Sequence, residues 1–223
     1  MQSVYQASVF AHAAPGTLLI DCSTIDVETA RAVASAAQEK DLEAVDAPVS
    51  GGIAAANAGT LTFMVGGSDK GFARAEPILA DMGKTVIHAG GNGAGQAAKI
   101  CNNMLLGATM AATCETFALA EKLGLDLQTF YDISSKASGQ SWSMTSYCPV
   151  PGVGPQSPAD NEYAGGFAAA LMLKDMRLAL EAAKASHAQV PMGERAEAIY
   201  AQFVDGDEEH RDFSAIITKL NGK

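Results

Sequence analysis

A lysine and two asparagines follow a glycine-rich stretch in the sequence "GGNGAGQAAKICNN", residues 91–104. Two kinds of chemistry fit this stretch. Residues 93–98 have the form GxGxxA, and a glycine-rich turn between a strand and a helix binds the pyrophosphate of a dinucleotide. Alternatively, Lys99 and Asn103 share one face of a helix and act on a substrate. The apolar residues around Lys99 predict partial desolvation, which lowers the pKa of a lysine towards the range where it exchanges protons.

The sequence after this stretch disfavours the pyrophosphate interpretation. A dinucleotide fingerprint requires a second strand after its helix, with an acidic residue about 20 positions on to hold the ribose. Here the helical pattern continues through residue 123, and Glu115, at a suitable distance, falls inside it. A lysine whose stem only lies along an apolar interface remains the simpler alternative for Lys99.

Strand and helix patterns alternate in the first part of the chain, after a short predicted helix at residues 3–12. Two helices are predicted, one capped by Thr24 or Asp26 and one stopped by Gly83. The strand–helix–strand order of the first fifty residues predicts a parallel α/β sheet. The strand patterns are "TLLID", "EAVD", "GTLTFMVGG" and "KTVIHAG".

Beyond Gly93 the strand patterns cease and long helical patterns take over. The first, apolar on nearly all sides, predicts a helix buried in a core or an interface and ending at Gly124. Asp126 caps a shorter helix, and a loop rich in Pro, Gly and Ser spans residues 138–166. We predict an α/β domain at residues 1–92. An all-helical domain, built around a long interdomain helix, is predicted at residues 93–223.

Composition excludes several classes of function. Hydrophobic residues make up 48% of the 223 residues, and the net charge of -10 argues against nucleic-acid binding but permits a small anionic substrate. No segment has the length of a membrane span, and the start has no signal-peptide pattern. The cysteines and histidines lack metal-ligand spacing, so no metal is predicted. We therefore expect a cytoplasmic protein, or a mitochondrial one if a eukaryotic transit segment is missing.

Four stretches of the chain resemble the β-hydroxyacid dehydrogenases, in order and over nearly the whole sequence. "GNGAGQAAKICNN" resembles the GxGxxxKxxxN segment of that family, and "DAPVSGGIAAANAGTLTFMVGG" its substrate-binding segment. "LLIDCSTID" is similar to the strand before its cofactor-contacting threonine, and "FAAALMLKD" to its second lysine helix. The resemblance implies an incomplete Rossmann-type, doubly wound sheet followed by a helical domain.

The resemblance also implies the reaction and the residues that bind the substrate. Hydride would pass between NAD, with NADP not excluded, and a small 3-hydroxy acid, while Lys99 acts as the acid/base. Ser50, Gly51 and Gly52 would bind the substrate carboxylate, and Asn103 would orient the substrate.

The same resemblance implies a set of cofactor-side residues. Thr24 would contact the cofactor near its nicotinamide end. Phe167 and Lys174 would act from the helical domain, with Asp175 holding Lys174. We expect a homodimer or homotetramer, because the long helix is so uniformly apolar.

Within the family, "SWSMTSYCPVPGV" and "LMLKDMRLA" resemble one member in particular, which oxidises a branched 3-hydroxy acid in valine catabolism. A related reductase, such as one acting on tartronate semialdehyde, is the alternative substrate class. The family's opening GxGxxG strand–turn has no counterpart here. We therefore expect a fragment that binds NAD weakly when isolated, or alternatively a short non-catalytic dimerisation or small-acid-binding module.

Overall fold

The structure is a computed structural model that describes residues 4–220. The chain divides into two compact units, Met1–Cys101 and Asn102–Lys223. Each unit has its own hydrophobic core: the first is centred on Phe63 and Leu79, and the second on Phe117 and Tyr200.

The first unit is a five-stranded sheet with helices. A helical turn at Tyr5–Val9 leads into α1, and the other elements follow in chain order. They are α1 (Phe10–His12), β1 (Leu18–Asp21), α2 (Val27–Gln38), β2 (Glu43–Asp46), β3 (Val49–Ser50), α3 (Gly52–Asn57), β4 (Leu61–Gly66), α4 (Asp69–Ala80) and β5 (Gly83–Gly90). Strands β1, β2, β4 and β3 are neighbours in that order, and β5 also pairs with β4.

The sheet is mixed, so the prediction of a parallel sheet is only partly correct. Strands β1 and β2 are parallel, as the strand–helix–strand order predicts, and β4 and β5 are also parallel. Strand β4 runs antiparallel to both β2 and β3. The chain from β3 to β4 contains only the short helix α3, and parallel neighbours need a crossover of a dozen or more residues. Helix α3 was not predicted, because "GIAAAN" has no apolar periodicity.

Side-chain caps fix the starts of the two longer helices of this unit. Of the two predicted caps for α2, Asp26 is the one used, and its carboxylate accepts a hydrogen bond from the backbone N–H of Thr29 at 2.7 Å. Ser68 caps α4 in the same way through the N–H of Gly71. The predicted role of Gly83 is wrong, because α4 ends at Ala80 and Gly83 is the first residue of β5.

Helix α5 (Ala94–Lys122) begins in the first unit and continues into the second. Its predicted end is confirmed: Gly124 follows with a φ of 77°, and the N–H of Leu125 donates back to the carbonyl of Ala120. The domain boundary at residues 92–93 stays a prediction; it lies at the start of α5, whereas the two compact units divide at residues 101–102.

The described part of the second unit is helical, apart from an isolated bridge between Ala168 and Asp212. The N-cap prediction is confirmed at Asp126, which accepts from Thr129. Among residues 4–220, no helix has the length and hydropathy needed to cross a membrane. The further helices are α6 (Leu127–Ser134), α7 (Trp142–Thr145), α8 (Ala169–Ser186), α9 (Pro191–Phe203) and α10 (Ile216–Leu220).

We predict that Gly95→Ala destabilises the first unit, because a Cβ at this position would collide with the backbone oxygens of Met64 and Asp46. Overpacking against backbone costs about 1–3 kcal/mol. Chemical denaturation should therefore show a lower unfolding midpoint. Gly91→Ala is the matched control, since a Cβ at Gly91 meets nothing within 4 Å. Equal unfolding midpoints for the two variants would contradict the close approach of the Gly95 backbone to Met64 and Asp46.

Candidate active site

The amino end of α5 is held by a buried carboxylate at the end of β2. Asp46 is 5% exposed. Its Oδ1 accepts from the N–H of Gly93 at 2.7 Å, and its Oδ2 accepts from the N–H of Gln96 at 2.9 Å. Burial raises the pKa of the Asp46 carboxyl, while the hydrogen bonds from Gly93 and Gln96 act to lower it. A negative charge here also faces the positive end of the helix dipole.

These hydrogen bonds argue against the pyrophosphate interpretation of the GxGxxA stretch. A phosphate would need the N–H groups of the turn and of the first helical residues. In this chain the N–H groups of Gly93 and Gln96 already donate to Asp46. The glycines instead let α5 start close against the ends of β2 and β4, and Gly95 is the residue at the closest approach.

The side chain of Gln96 links the start of α5 to the loop after β1. Gln96 is fully buried, its Oε1 accepts from the N–H of Ile25 at 3.1 Å, and its Nε2 donates to the carbonyl of Ser23 at 2.8 Å. Both ends of the amide are therefore bonded to residues that flank Thr24. Asp46 and Gln96 were not predicted as site residues, because the hydrogen bond between them joins positions that are 50 apart in the sequence.

Lys99 lies one turn after Gln96 on α5. It is only 7% exposed, an unusual degree of burial for a lysine. Its neighbour Ile100 is also buried, at 3% exposed.

Ser50, Gly51 and Gly52 form the corner between β3 and α3. Ser50 is half-buried and pairs with Thr62 of β4, whereas the two glycines are exposed. Gly51 and Gly52 have φ values of 131° and 65°, which residues other than glycine rarely adopt. The corner therefore combines two exposed glycines in a sharp turn with one half-buried serine.

In the second unit, Asp175 brings together two of the predicted site residues. Asp175 is 2% exposed, and its Oδ2 accepts from the Nδ2 of Asn103 at 2.6 Å. The ammonium of Lys174 lies 3.1 Å from Oδ1, so the predicted Lys174–Asp175 pair forms. The bond to Asn103 was not predicted. Asn103 is itself 1% exposed and accepts from Asn102 at 3.0 Å.

Phe167 is positioned by a second buried carboxylate. The Oδ2 of Asp212 accepts from the backbone N–H of Phe167 and from the hydroxyl of Tyr147, both at 2.8 Å. Its Oδ1 accepts from the N–H and hydroxyl of Ser214. Burial raises the pKa of the Asp212 carboxyl, while these hydrogen bonds act to lower it. Tyr147 in turn stacks on the half-exposed Trp142 with ring centroids 4.8 Å apart. This cluster was not predicted from the sequence.

The loop after β1 fits the cofactor that the resemblance implies. In open α/β sheets, ligands bind outside the carboxyl ends of the parallel strands. Thr24 lies in the loop at the end of β1, is half-buried, and is flanked by two anchored residues. Ser23 is additionally held by its N–H, which donates to Asp21 at 2.9 Å. An ordered polar loop at this edge suits the nicotinamide end of a dinucleotide.

Two protein-family models match the chain, and both describe NAD-binding parts of dehydrogenases. The NAD-binding domain of 6-phosphogluconate dehydrogenase matches residues 1–91. The NAD-binding domain of NADP-dependent 3-hydroxyisobutyrate dehydrogenase matches residues 93–220. Fold and matches together define an oxidoreductase of the NAD-binding class, with a Rossmann-like first part and a helical second part.

Individual relatives narrow this class. The 3-hydroxyisobutyrate dehydrogenase of Pseudomonas aeruginosa is 52% identical over 96% of this chain and 73% of that protein. A solved structure of the Mycobacterium tuberculosis 3-hydroxyisobutyrate dehydrogenase with L-serine superposes with a TM-score of 0.94 at 47% identity, covering 98% of this chain and 75% of that one. The chain belongs to the 3-hydroxyisobutyrate dehydrogenase family. The resemblance seen in the sequence is thereby confirmed.

A third relative carries a different substrate name. The NAD-dependent L-serine dehydrogenase of Pseudomonas aeruginosa is 47% identical over 93% of this chain and 70% of that protein.

We predict that Asp212→Asn destabilises the second unit by roughly 1–3 kcal/mol at pH 7, because an amide nitrogen would face donors that now meet a carboxylate. The difference in the free energy of unfolding between wild type and Asp212→Asn should widen as the pH falls. Burial raises the folded-state pKa of Asp212, so wild type gains stability as the pH drops from that value towards about 4, and the variant lacks this gain. Denaturation at several pH values measures both effects. The control, Asp81→Asn at an exposed helix end, should stay close to wild type. If the difference in the free energy of unfolding narrowed in acid, the raised pKa of Asp212 in the folded protein would be contradicted.

Proposed function

We propose that this protein oxidises 3-hydroxyisobutyrate to methylmalonate semialdehyde with NAD, a step of valine breakdown. The proposal rests on Lys99, which is only 7% exposed and lies in the GxGxxxKxxxN segment. The chain that contains this lysine is 52% identical to a 3-hydroxyisobutyrate dehydrogenase. A lysine is rarely buried without a specific task, and a proton-transfer group in a dehydrogenase is such a task.

In the proposed reaction, the substrate loses a hydride from the carbon that bears the hydroxyl and a proton from that hydroxyl. NAD, when bound, supplies the hydride acceptor. Lys99, in its neutral form, takes the hydroxyl proton as the C–O double bond forms, so that charge and atoms balance. In the reverse direction the ammonium returns the proton to the carbonyl oxygen.

The substrate carboxylate is proposed to bind at the corner formed by Ser50, Gly51 and Gly52. The hydroxyl of Ser50 and the backbone N–H groups of the two glycines supply donors for an anion. The positive φ values of both glycines support this role, because they turn the backbone so sharply at this point. Asn103 is proposed to orient the substrate. Its position is supported by the 2.6 Å bond from its amide to the buried Asp175.

Cofactor contacts are proposed for Thr24, Phe167, Lys174 and Asp175. Thr24 lies at the carboxyl end of β1, and Phe167 is held through its backbone N–H by the buried Asp212. The Lys174 side chain is 46% exposed, yet its ammonium lies against Asp175, which favours one defined position for it. We propose NAD as the cofactor, as named for the relative with L-serine dehydrogenase activity.

We also propose a homodimer or homotetramer in the cytoplasm. Several apolar side chains of α5 and of the turn after it are exposed, among them Leu105 (64%), Leu119 (57%) and Leu123 (69%). Burial of such residues against another subunit would stabilise an assembly.

L-serine is a second candidate substrate. A relative at 47% identity is named NAD-dependent L-serine dehydrogenase, and the Mycobacterium tuberculosis structure contains L-serine. Both compounds are 3-hydroxy acids and differ in the group on carbon 2, a methyl in one and an ammonium in the other. The same residues can therefore act on either.

Lys99→Ala should lower kcat by about a hundredfold to ten-thousandfold, because the group that takes the proton is lost. Steady-state rates on the full-length protein, with circular dichroism to check folding, measure this. Lys122→Ala is the matched control: it removes an exposed lysine from the last turn of the same helix and should keep wild-type rates. Wild-type turnover by Lys99→Ala would remove this residue from the mechanism.

Initial rates with 3-hydroxyisobutyrate, L-serine and, in reverse, tartronate semialdehyde should separate the candidate substrates. We expect 3-hydroxyisobutyrate to give the highest kcat/KM, at least about tenfold above L-serine, because a pocket for a methyl group disfavours an ammonium. A higher kcat/KM for L-serine would instead assign the protein to that substrate.

A further inference from the structure

We propose that Gln96 is a positioning residue, whose buried amide sets the place of Lys99 relative to the cofactor-side loop that contains Thr24. The inference rests on the proposed function of Lys99. All of its structural basis lies within the first unit, in β1, β2 and the start of α5.

The Gln96 side chain is hydrogen-bonded at both ends of its amide. Its Oε1 accepts from Ile25 and its Nε2 donates to Ser23, the residues immediately before and after Thr24. A single amide thereby fixes the backbone on both sides of that threonine. Because the side chain is fully buried, water cannot replace either bond, and losing one leaves a buried polar group unsatisfied.

The backbone of Gln96 is held as well. Its N–H donates to Asp46 at 2.9 Å, and the N–H of Gly93 donates to the other oxygen of the same carboxylate at 2.7 Å. The first turn of α5 is therefore fixed in both rotation and height against the end of β2. Gln96 is thus held through its own backbone while it holds the loop through its side chain.

Gln96 and Lys99 lie close together on the same helix. Lys99 is three positions after Gln96, which places it about one turn further on α5. A shift of the helix start relative to the loop would move the Lys99 amine by a similar amount. Misplacement of a reacting group by about 1 Å can cost about a hundredfold in rate. Gln96 therefore acts on the reaction through Lys99 and Thr24 without touching the substrate.

The test uses Gln96→Met in the full-length protein, a variant of similar size that can make neither hydrogen bond. We expect the KM for NAD to rise and kcat to fall, each by about tenfold or more. We also expect a larger deuterium isotope effect on kcat with 3-hydroxyisobutyrate deuterated at the carbinol carbon. Product release often limits the rate of such enzymes, and slower hydride transfer would expose the isotope effect.

Asn92→Ala is the matched control. Its side-chain amide donates to the carbonyl of Ala44 at 2.7 Å, so it also ties this turn to β2 but has no bond to the loop at Thr24. It should lower the unfolding midpoint without changing the KM for NAD or the isotope effect. If Gln96 had a purely structural role, Gln96→Met would also leave the KM for NAD and the isotope effect unchanged, because a smaller fraction of active protein lowers only kcat.

Gln96→Glu provides a second variant in case Gln96→Met fails to fold. It keeps an acceptor for Ile25 but loses the donor to Ser23, so we expect the same changes in KM and isotope effect. Wild-type KM and isotope effect in a folded variant would overturn the proposal. If Lys99→Ala retains turnover, the proposed function of Lys99 fails first. If Lys99→Ala is inactive and the Gln96 variants match wild type, only the positioning role fails.

Discussion

The hydrogen bonds between the Asp46 carboxylate and the first turn of α5 are the constraint on which the first unit depends. Burying an ionised carboxylate is costly unless its oxygens are satisfied by donors. Here the N–H groups of Gly93 and Gln96 satisfy one oxygen each, and the helix dipole adds to the attraction. The long helix therefore starts at one defined place against the sheet.

This internal carboxylate also takes two of the N–H groups that a phosphate-binding loop of this form would offer to a phosphate. Helix amino ends attract anions through the same N–H groups, whether the anion is a phosphate or a side chain. In this chain the side chain comes from β2, and the glycines serve the close approach between α5 and the strand ends. The chemistry proposed for α5 belongs to Lys99 and Asn103, which lie further along the helix.

Buried carboxylates have a similar function in the second unit. Asp175 accepts from Asn103 and pairs with Lys174, while Asp212 gathers the backbone of Phe167, the hydroxyl of Tyr147 and Ser214. In both units, acidic residues with little exposure fix polar or aromatic neighbours in place. Hydrogen bonds and ion pairs of this kind limit the movement of the groups they join, which is what a site for proton and hydride transfer requires.

The sequence by itself determined the order and type of most elements, the caps at Asp26 and Asp126, the end of α5 and the family. These features depend on local periodicity, on single capping residues or on segment motifs, all of which are visible along the chain. Only the tertiary structure decided the antiparallel direction of β4 and the partners of Asp46, Gln96 and Asp212. Apart from the local bonds between Asp212 and Ser214, those bonds join residues 45 to 73 positions apart, and contacts at such separations leave no periodic pattern in a single sequence.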